Sequence, residues 1–237
     1  MSNLKVFNNF KIHTQYSICE GAIKIDDLAN YCKENKISSI GICDSYNLCG
    51  ALEFSETVSR SGSHPLIGTQ INFSLENCIG KLPIFASTSL GYRNIIKLSS
   101  KSYLDSSEKT DPHCNIKTLN HNNDGLILLS GNHHGLFGKL FKQNKLKQAE
   151  EALKELKNSF KNRFYLEIQR HNEPGEKNYE NFIIKLSETC QIPLIATQEV
   201  FYLKKEMYEA HDALICIGQK NFVDDPNRLK FSDQHYI

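Results

Sequence analysis

Four residues of this 237-residue chain stand just after apolar runs and carry side chains able to do chemistry. His13 follows FKI, Asp44 follows SSIGIC, His171 follows RFYLEIQR and Glu199 follows PLIATQ. Two imidazoles and two carboxylates suit a divalent metal or paired acid–base work. Each alone has a plainer use, because a His or Asp after a strand often caps the next helix or holds a loop amide. Four at the ends of four strands point to one shared cluster, a working site or the relic of one.

Other signals are weaker. His133-His134 in SGNHHG follows an apolar run, but adjacent loop residues diverge, so the pair reads as the start of a helix rather than two ligands. His211 in EAHDALIC sits on a helix face and reads as a packing or capping residue. The chain contains no G-x-x-x-x-G-K-[ST] and no G-x-G-x-x-G, so it lacks the common phosphate-cradling motifs. No Ser or Cys occupies a nucleophile elbow.

A strand-end cluster requires strands that finish on one side of a sheet. Seven contiguous apolar runs supply them: 10–13, 38–43, 65–73, 81–86, 125–130, 163–169 and 192–198. Contiguity, rather than alternation, predicts buried strands. Between them the spacing turns helical. Ile25, Leu28, Ala29 and Cys32 form one stripe, Ala51, Phe54, Ser55 and Val58 another. Leu146, Ala149, Leu153, Leu156 and Phe160 form a third, and Tyr179, Phe182, Ile183, Leu186 and Cys190 a fourth. The alternation predicts a mostly parallel sheet, and the strand count fits a closed barrel slightly better than an open doubly wound sheet. Residues 101–124 are polar and predict a long loop with a short helix. Residues 218–237 show no periodic core pattern and read as a connection to something further on.

Composition limits the function classes. Lys+Arg number 28 and Asp+Glu 27, for a formal charge of +1, so the chain has no global basic footprint for nucleic acid. Lys139, Lys142, Lys145 and Lys147 cluster at one turn and read as a solvated helix face. No apolar run approaches the roughly 20 residues of a membrane span, and the N-terminal MSNLKVFNNFKIH has no signal-peptide core. Eight cysteines without a C-x-x-C pair read as reduced, mostly core thiols of a cytoplasmic protein.

In order along the chain, KIHTQYSICEGAIKIDDL, IGICDSYNLCGALEF, PLIGTQINF, ASTSLGYRNIIKLSS, LILLSGNHHG, FYLEIQRHNEP and PLIATQEVFYL resemble the PHP (polymerase and histidinol phosphatase) domain. DSYNLCG, GYRNIIKLSS and LSG resemble the branch of that family found in bacterial DNA polymerase III alpha subunits, and EAHDALICIGQ fits the same branch. The resemblance covers nearly the whole chain. It implies a distorted (β/α)7 TIM-like barrel of the PHP type over 1–217. Residues 218–237 would start the connection to downstream polymerase domains absent from this chain.

Metal-binding members hold up to three ions with nine side chains at the strand ends. Where that family's opening motif is His-x-His, this chain has Lys11-Ile12-His13. Its Asp-His pair is Asp44-Ser45, its Gly-x-Glu glutamate is Gln70, and a strand-opening histidine is Lys81. The cysteine of Leu-Ser-Gly-Cys is Asn132, the histidine after Glu-Leu-Gln-x remains as His171, and the closing Asp-x-His is Glu199-Val200-Phe201. Protonated Lys cannot coordinate, and a trinuclear cluster needs many anionic and imidazole donors. The set implies a degenerate site without catalytic residues and without a metal cofactor. If an ion bound at all, His13, Asp44, His171 and Glu199 would hold it.

The resemblance further implies a parent DNA polymerase whose Mg²⁺ ions sit in a downstream domain. The proofreading 3′–5′ exonuclease subunit and the replicase holoenzyme would be its partners, and DNA would be met through the full-length protein. The alternative is a residual metal-dependent phosphoesterase, a pyrophosphatase or a 3′–5′ exonuclease. With the metals gone, crowded carboxylates need another counter-charge. Lys11 or Lys81 is therefore expected within salt-bridge distance of Asp44 or Glu199, with His13 and His171 alongside.

Overall fold

The computed structural model describes residues 7–107 and 110–237. The first residues of the stretch read above for a signal peptide, and two residues of the 101–124 segment, lie outside that range. Each of the seven apolar runs carries a strand: β1 (Lys11–Ile12), β2 (Ser39–Ser45), β3 (His64–Leu75), β4 (Cys78–Ala86), β6 (Leu126–Leu129), β7 (Phe164–Ile168) and β8 (Leu194–Ala196). Two short strands add to them, β5 (His113–Asn115) and β9 (Glu199–Val200). The helices are α1 (Ile25–Glu34), α2 (Ala51–Arg60), α3 (Ser89–Leu104), α4 (Ile116–His121), α5 (Leu136–Lys142), α6 (Leu146–Phe160), α7 (Glu176–Cys190) and α8 (Tyr208–Gln219).

Hydrogen-bonded neighbours run β2-β3-β4-β6-β7-β8, with β5 on the end of β3. β1 pairs in parallel with β9, Lys11 opposite Glu199. It also lies beside β2, where the Gly41 N–H donates to the Asn9 carbonyl at 3.0 Å. The result is a distorted barrel. Leu28, Phe54, Leu153, Phe160 and Ile183 are fully buried on the faces their helices turn to the sheet, as the 3.6-residue spacing requires. A small apolar plug of Cys43, Phe85 and Leu129, with Phe10, Ile127, Tyr165 and Ile195 against it, fills one end of the barrel.

Three features differ from the sequence expectation. First, β3 and β4 form an antiparallel hairpin with no helix between them, and β4 is antiparallel to β6 as well. The runs around Gln70 and Lys81 extend further than their apolar cores, leaving only Glu76 and Asn77 between the strands, with Glu76 at φ 50°. Second, 101–124 is less irregular than its polarity suggests. α3 continues to Leu104 behind a Thr88 cap that accepts from the Gly91 N–H at 3.1 Å, and Asn115 caps α4. Third, the tail packs back. Tyr236 bridges Tyr202, and His235 is 2 % exposed. The Phe201 N–H donates to the His235 carbonyl at 2.9 Å and Arg228 donates to both Asp212 carboxylate oxygens at 2.6 Å, contacts that no periodicity announces.

Closure depends on one close approach. A Cβ on Gly41 would lie 2.5 Å from the Phe10 carbonyl oxygen and 2.6 Å from its Cα. Overpacking against backbone has no rotamer escape. Gly41→Ala should therefore lower unfolding free energy by about 2–3 kcal/mol. Adding Phe10→Ala should not restore it, because the clash is with main-chain atoms; denaturant midpoints of the three variants test both statements.

Candidate functional site

Strand parity decides which residues share the barrel interior. Successive side chains of a strand point to opposite faces. Ile40 and Ile42 pack outward in the α1–α2 core, so Cys43 and Ser45 point inward and Asp44 outward. The same alternation places Lys11 and His13, Gln70 and Asn72, Lys81, Glu167, and Glu199 with Phe201 on the inner face near one end. Lys81 reaches that end from the start of its strand because β4 runs antiparallel.

An ion network fills the interior. Lys11 Nζ lies 3.0 Å from Glu167 Oε1 and 3.7 Å from Glu199 Oε1, with the lysine and Glu167 side chains fully buried. Among the described residues Lys11 Nζ makes no well-aligned hydrogen bond, so the contact is ionic. His13 Nε2 lies 3.0 Å from Glu199 Oε1, the Gln70 amide also donates to that oxygen, and the Asn132 amide donates to Glu199 Oε2. Glu167 Oε1 accepts from the Gln169 amide at 2.8 Å and from the Thr197 hydroxyl. Burial by itself would raise the Glu199 carboxyl, but the Lys11 ammonium and then His13 outweigh it and hold it well below the usual carboxylate range. Burial would likewise lower Lys11, yet Glu167 and Glu199 raise it, so the ammonium keeps its charge.

A second pair lies at the mouth. Lys81 Nζ contacts Glu20 Oε1 at 2.7 Å and donates to Ser45 Oγ at 3.0 Å, and the Ser45 hydroxyl donates to Glu20 Oε2. Against the cost of burial, Lys81 lowers the Glu20 carboxyl and Glu20 raises the lysine. Phe201 covers one side of the mouth, stacked on His13 with centroids 4.6 Å apart and packed on Phe231 from the tail at 5.0 Å. Together they line a cavity of about 400 Å³ with Gln70, Asn132 and Lys139.

Two of the sequence candidates are engaged elsewhere. Asp44 accepts from the Thr14 N–H at 2.6 Å, the Thr14 hydroxyl at 2.8 Å and the Ser17 hydroxyl at 2.7 Å, so it pins the loop after β1. His171 Nε2 accepts from the Glu199 N–H at 3.2 Å, and the ring stacks on His235 at 4.0 Å. Burial, then His235, pushes His171 down to about 4. His13, Asp44, His171 and Glu199 do not converge as one ligand group among the described residues. Lys11 reaches Glu199, whereas Lys81 pairs with Glu20 rather than with Asp44 or Glu199. Ammonium groups stand where cations would be needed, so the residues present do not fit a trinuclear metal centre.

Sequence reasoning missed Glu20, Glu167, Glu173 and His235. Glu167 lies inside the run FYLEIQ, where an acidic residue among apolar neighbours was a usable signal. The adjacent His133 and His134 also converge where divergence was expected, with both Nε2 atoms on Glu173 Oε2 at 3.2 and 2.8 Å. They do so because His133 turns inward while His134 stays half exposed. Burial, followed by His134, pushes His133 down to about 4. His211 is a packing residue, bonded to the Glu20 carbonyl at 2.8 Å between Phe201 and Tyr202.

Removing Lys11 orphans two buried carboxylates. Lys11→Met should cost about 3–5 kcal/mol of stability, and Glu167→Gln in the same chain should recover part of it, read from urea unfolding. His133 and His171 are held neutral in the fold, so the unfolded chain takes up their protons first. Their contribution is complete above the ordinary value of 6.5 and lost as pH falls to about 4. Thermal melts across that window should fall in temperature, and His171→Gln should flatten the slope.

Comparison with known proteins agrees with this architecture. A family model described as the PHP domain matches residues 9–171. The chain is 35% identical over 242 residues to DNA polymerase III subunit alpha of Caulobacter vibrioides, covering 98% of this chain and 21% of that protein. It is 32% identical over 241 residues to the Haemophilus influenzae protein of the same name, covering 100% and 21%. The chain thus spans about a fifth of the length of these relatives. A Bifidobacterium adolescentis protein named as a candidate metal-dependent phosphoesterase superposes with a TM-score of 0.53 at 12% identity, over 81% of this chain and 86% of that one, which shows a shared fold. The chain belongs to the PHP domain family.

Proposed function

We propose that this chain is the PHP domain of a bacterial DNA polymerase III alpha subunit and acts as a non-hydrolytic scaffold that docks the proofreading 3′–5′ exonuclease subunit. One observation carries the loss of hydrolysis. The interior carboxylates Glu167, Glu199 and Glu20 pair with Lys11 and Lys81, which stand at positions where metal-binding members place ligands. A fixed ammonium balances charge but offers no open coordination position and cannot activate water as a bound metal does. His13, Glu20 and Glu199, titratable groups at the mouth, are each already held by a structural partner.

In this reading the parent protein carries out template-directed DNA synthesis in the cytoplasm as part of a replicase, with its Mg²⁺ ions held by acidic residues downstream of this domain. Similarity along the whole chain to named alpha subunits supports that assignment. No helix among the described residues is long and apolar enough to cross a membrane, which is compatible with it.

Supplied with Mn²⁺ or Zn²⁺, the purified chain should release no phosphate from pyrophosphate and should not shorten a 3′-labelled oligonucleotide. It should form a complex with the exonuclease subunit of the same genome in sedimentation velocity. Metal-dependent hydrolysis abolished by Glu199→Gln would replace the scaffold reading with a residual phosphoesterase. Failure to bind the exonuclease would remove docking from the domain's role.

A further inference from the structure

A second cluster of ligand-capable side chains lies on the rim, outside the interior ion network. The loop after β6 presents His133 and His134, the loop after β7 presents Glu173, and the tail presents His235. Glu173 Oε2 lies 3.2 Å from His133 Nε2 and 2.8 Å from His134 Nε2. One ligand atom from each of these three residues lies within 4.8 Å of the other two. Glu173 Oε1 is held 3.0 Å from His235 Nε2, and His235 Nδ1 lies 3.0 Å from the Glu199 carbonyl oxygen. We infer that His133, His134 and Glu173 form a binding site for one Zn²⁺-class divalent ion, held by two imidazole nitrogens and one carboxylate oxygen at the rim of the barrel.

Two of the three ligand-atom separations are close to what such an ion needs, and the third lies within 4.8 Å. Tetrahedral bonds of 2.0–2.1 Å set neighbouring ligand atoms about 3.3 Å apart. The two contacts to Glu173 need to open by only a few tenths of an ångström. The donor set selects the ion, because two nitrogens in three favour zinc, cobalt or nickel over the all-oxygen preference of magnesium and calcium. His134 has a side chain 45% exposed, so it provides the entry path and leaves the fourth position to water. Lys142 Nζ lies 3.5 Å from His134 Nδ1, so without metal this nitrogen accepts and Nε2–H donates to Glu173. Binding moves that proton to Nδ1, freeing the Nε2 lone pair, while the exposed Lys142 ammonium turns to solvent.

The surroundings are those of a supported ligand. A carboxylate fixed by an imidazole on its far oxygen loses little freedom on coordination. His235 is itself fixed by stacking on His171, ring planes 5° apart. An ion at this place would tie the loops after β6 and β7 to the tail that covers the mouth. The inference uses none of the residues that carry the scaffold reading, and neither depends on the other.

The test is titration of Zn²⁺ and, separately, Co²⁺ into the metal-stripped 237-residue chain, followed by calorimetry and visible absorption. One equivalent should bind, with the intense visible bands of tetrahedral Co²⁺. His134→Ala, at a half-exposed position, should keep the metal-free melting temperature and weaken binding at least about tenfold. His235→Phe should act as the loss of a positioning residue, weakening binding roughly tenfold and shifting the Co²⁺ spectrum. His64→Ala, at an exposed histidine remote in sequence, should change neither. Absence of saturable binding would overturn the inference, and so would one-equivalent binding that survives His134→Ala unchanged.

Discussion

An ammonium group at the centre of a barrel must be neutralised where it lies, because water cannot reach it. Lys11 is 1 % exposed and sits between Glu167 and Glu199. Breaking such a cluster at one member leaves an uncompensated charge, which costs far more than the cluster contributes when intact. The constraint spreads outward. Glu167 is fixed by Thr197 and Gln169, and Glu199 by His13, Gln70 and Asn132. Five separate segments of the barrel therefore converge on two carboxylates. Their mutual register is set by polar contacts inside the ring as well as by apolar packing outside it.

The rim shows the same logic at lower burial. Lys81, Glu20 and Ser45 form a closed triangle, and Phe201 with Phe231 and His211 forms an aromatic cover beside it. The tail is held by a buried imidazole, since His235 contacts the Glu199 carbonyl on one side and Glu173 on the other. Glu199 and Glu173 are thus tied to the last residues of the chain. A change in the tail is coupled to the interior through these contacts and through the Phe201 N–H on the His235 carbonyl.

Within the PHP family, this chain pairs its interior carboxylates with the ammonium groups of Lys11 and Lys81. A cluster of divalent ions surrounded by anionic ligands and a pair of ammonium groups surrounded by carboxylates are alternative solutions to one electrostatic problem. The second solution preserves a packed, polar interior. The docking role proposed above calls for such a packed interior beneath a rigid surface.

The sequence by itself determined the strands and the main helices. Contiguous apolar runs and 3.6-residue stripes are local signals, and residues such as Leu28, Phe54, Leu153 and Ile183 are buried because their spacing leaves them on one face. It also identified Lys11, Lys81 and Glu199 as residues needing explanation, since their types depart from the family pattern at strand ends. Tertiary structure decided which of them meet. Asp44 and Ser45 are neighbours in sequence, yet parity sends one outward to Thr14 and Ser17 and the other inward to Glu20 and Lys81. The β3–β4 hairpin reverses one strand and brings Lys81 to the mouth from its starting end. His235, 36 residues beyond Glu199, reaches it only through the path of the tail. Such partners are distant in the chain, and no spacing rule encodes a contact fixed by the closing of a ring.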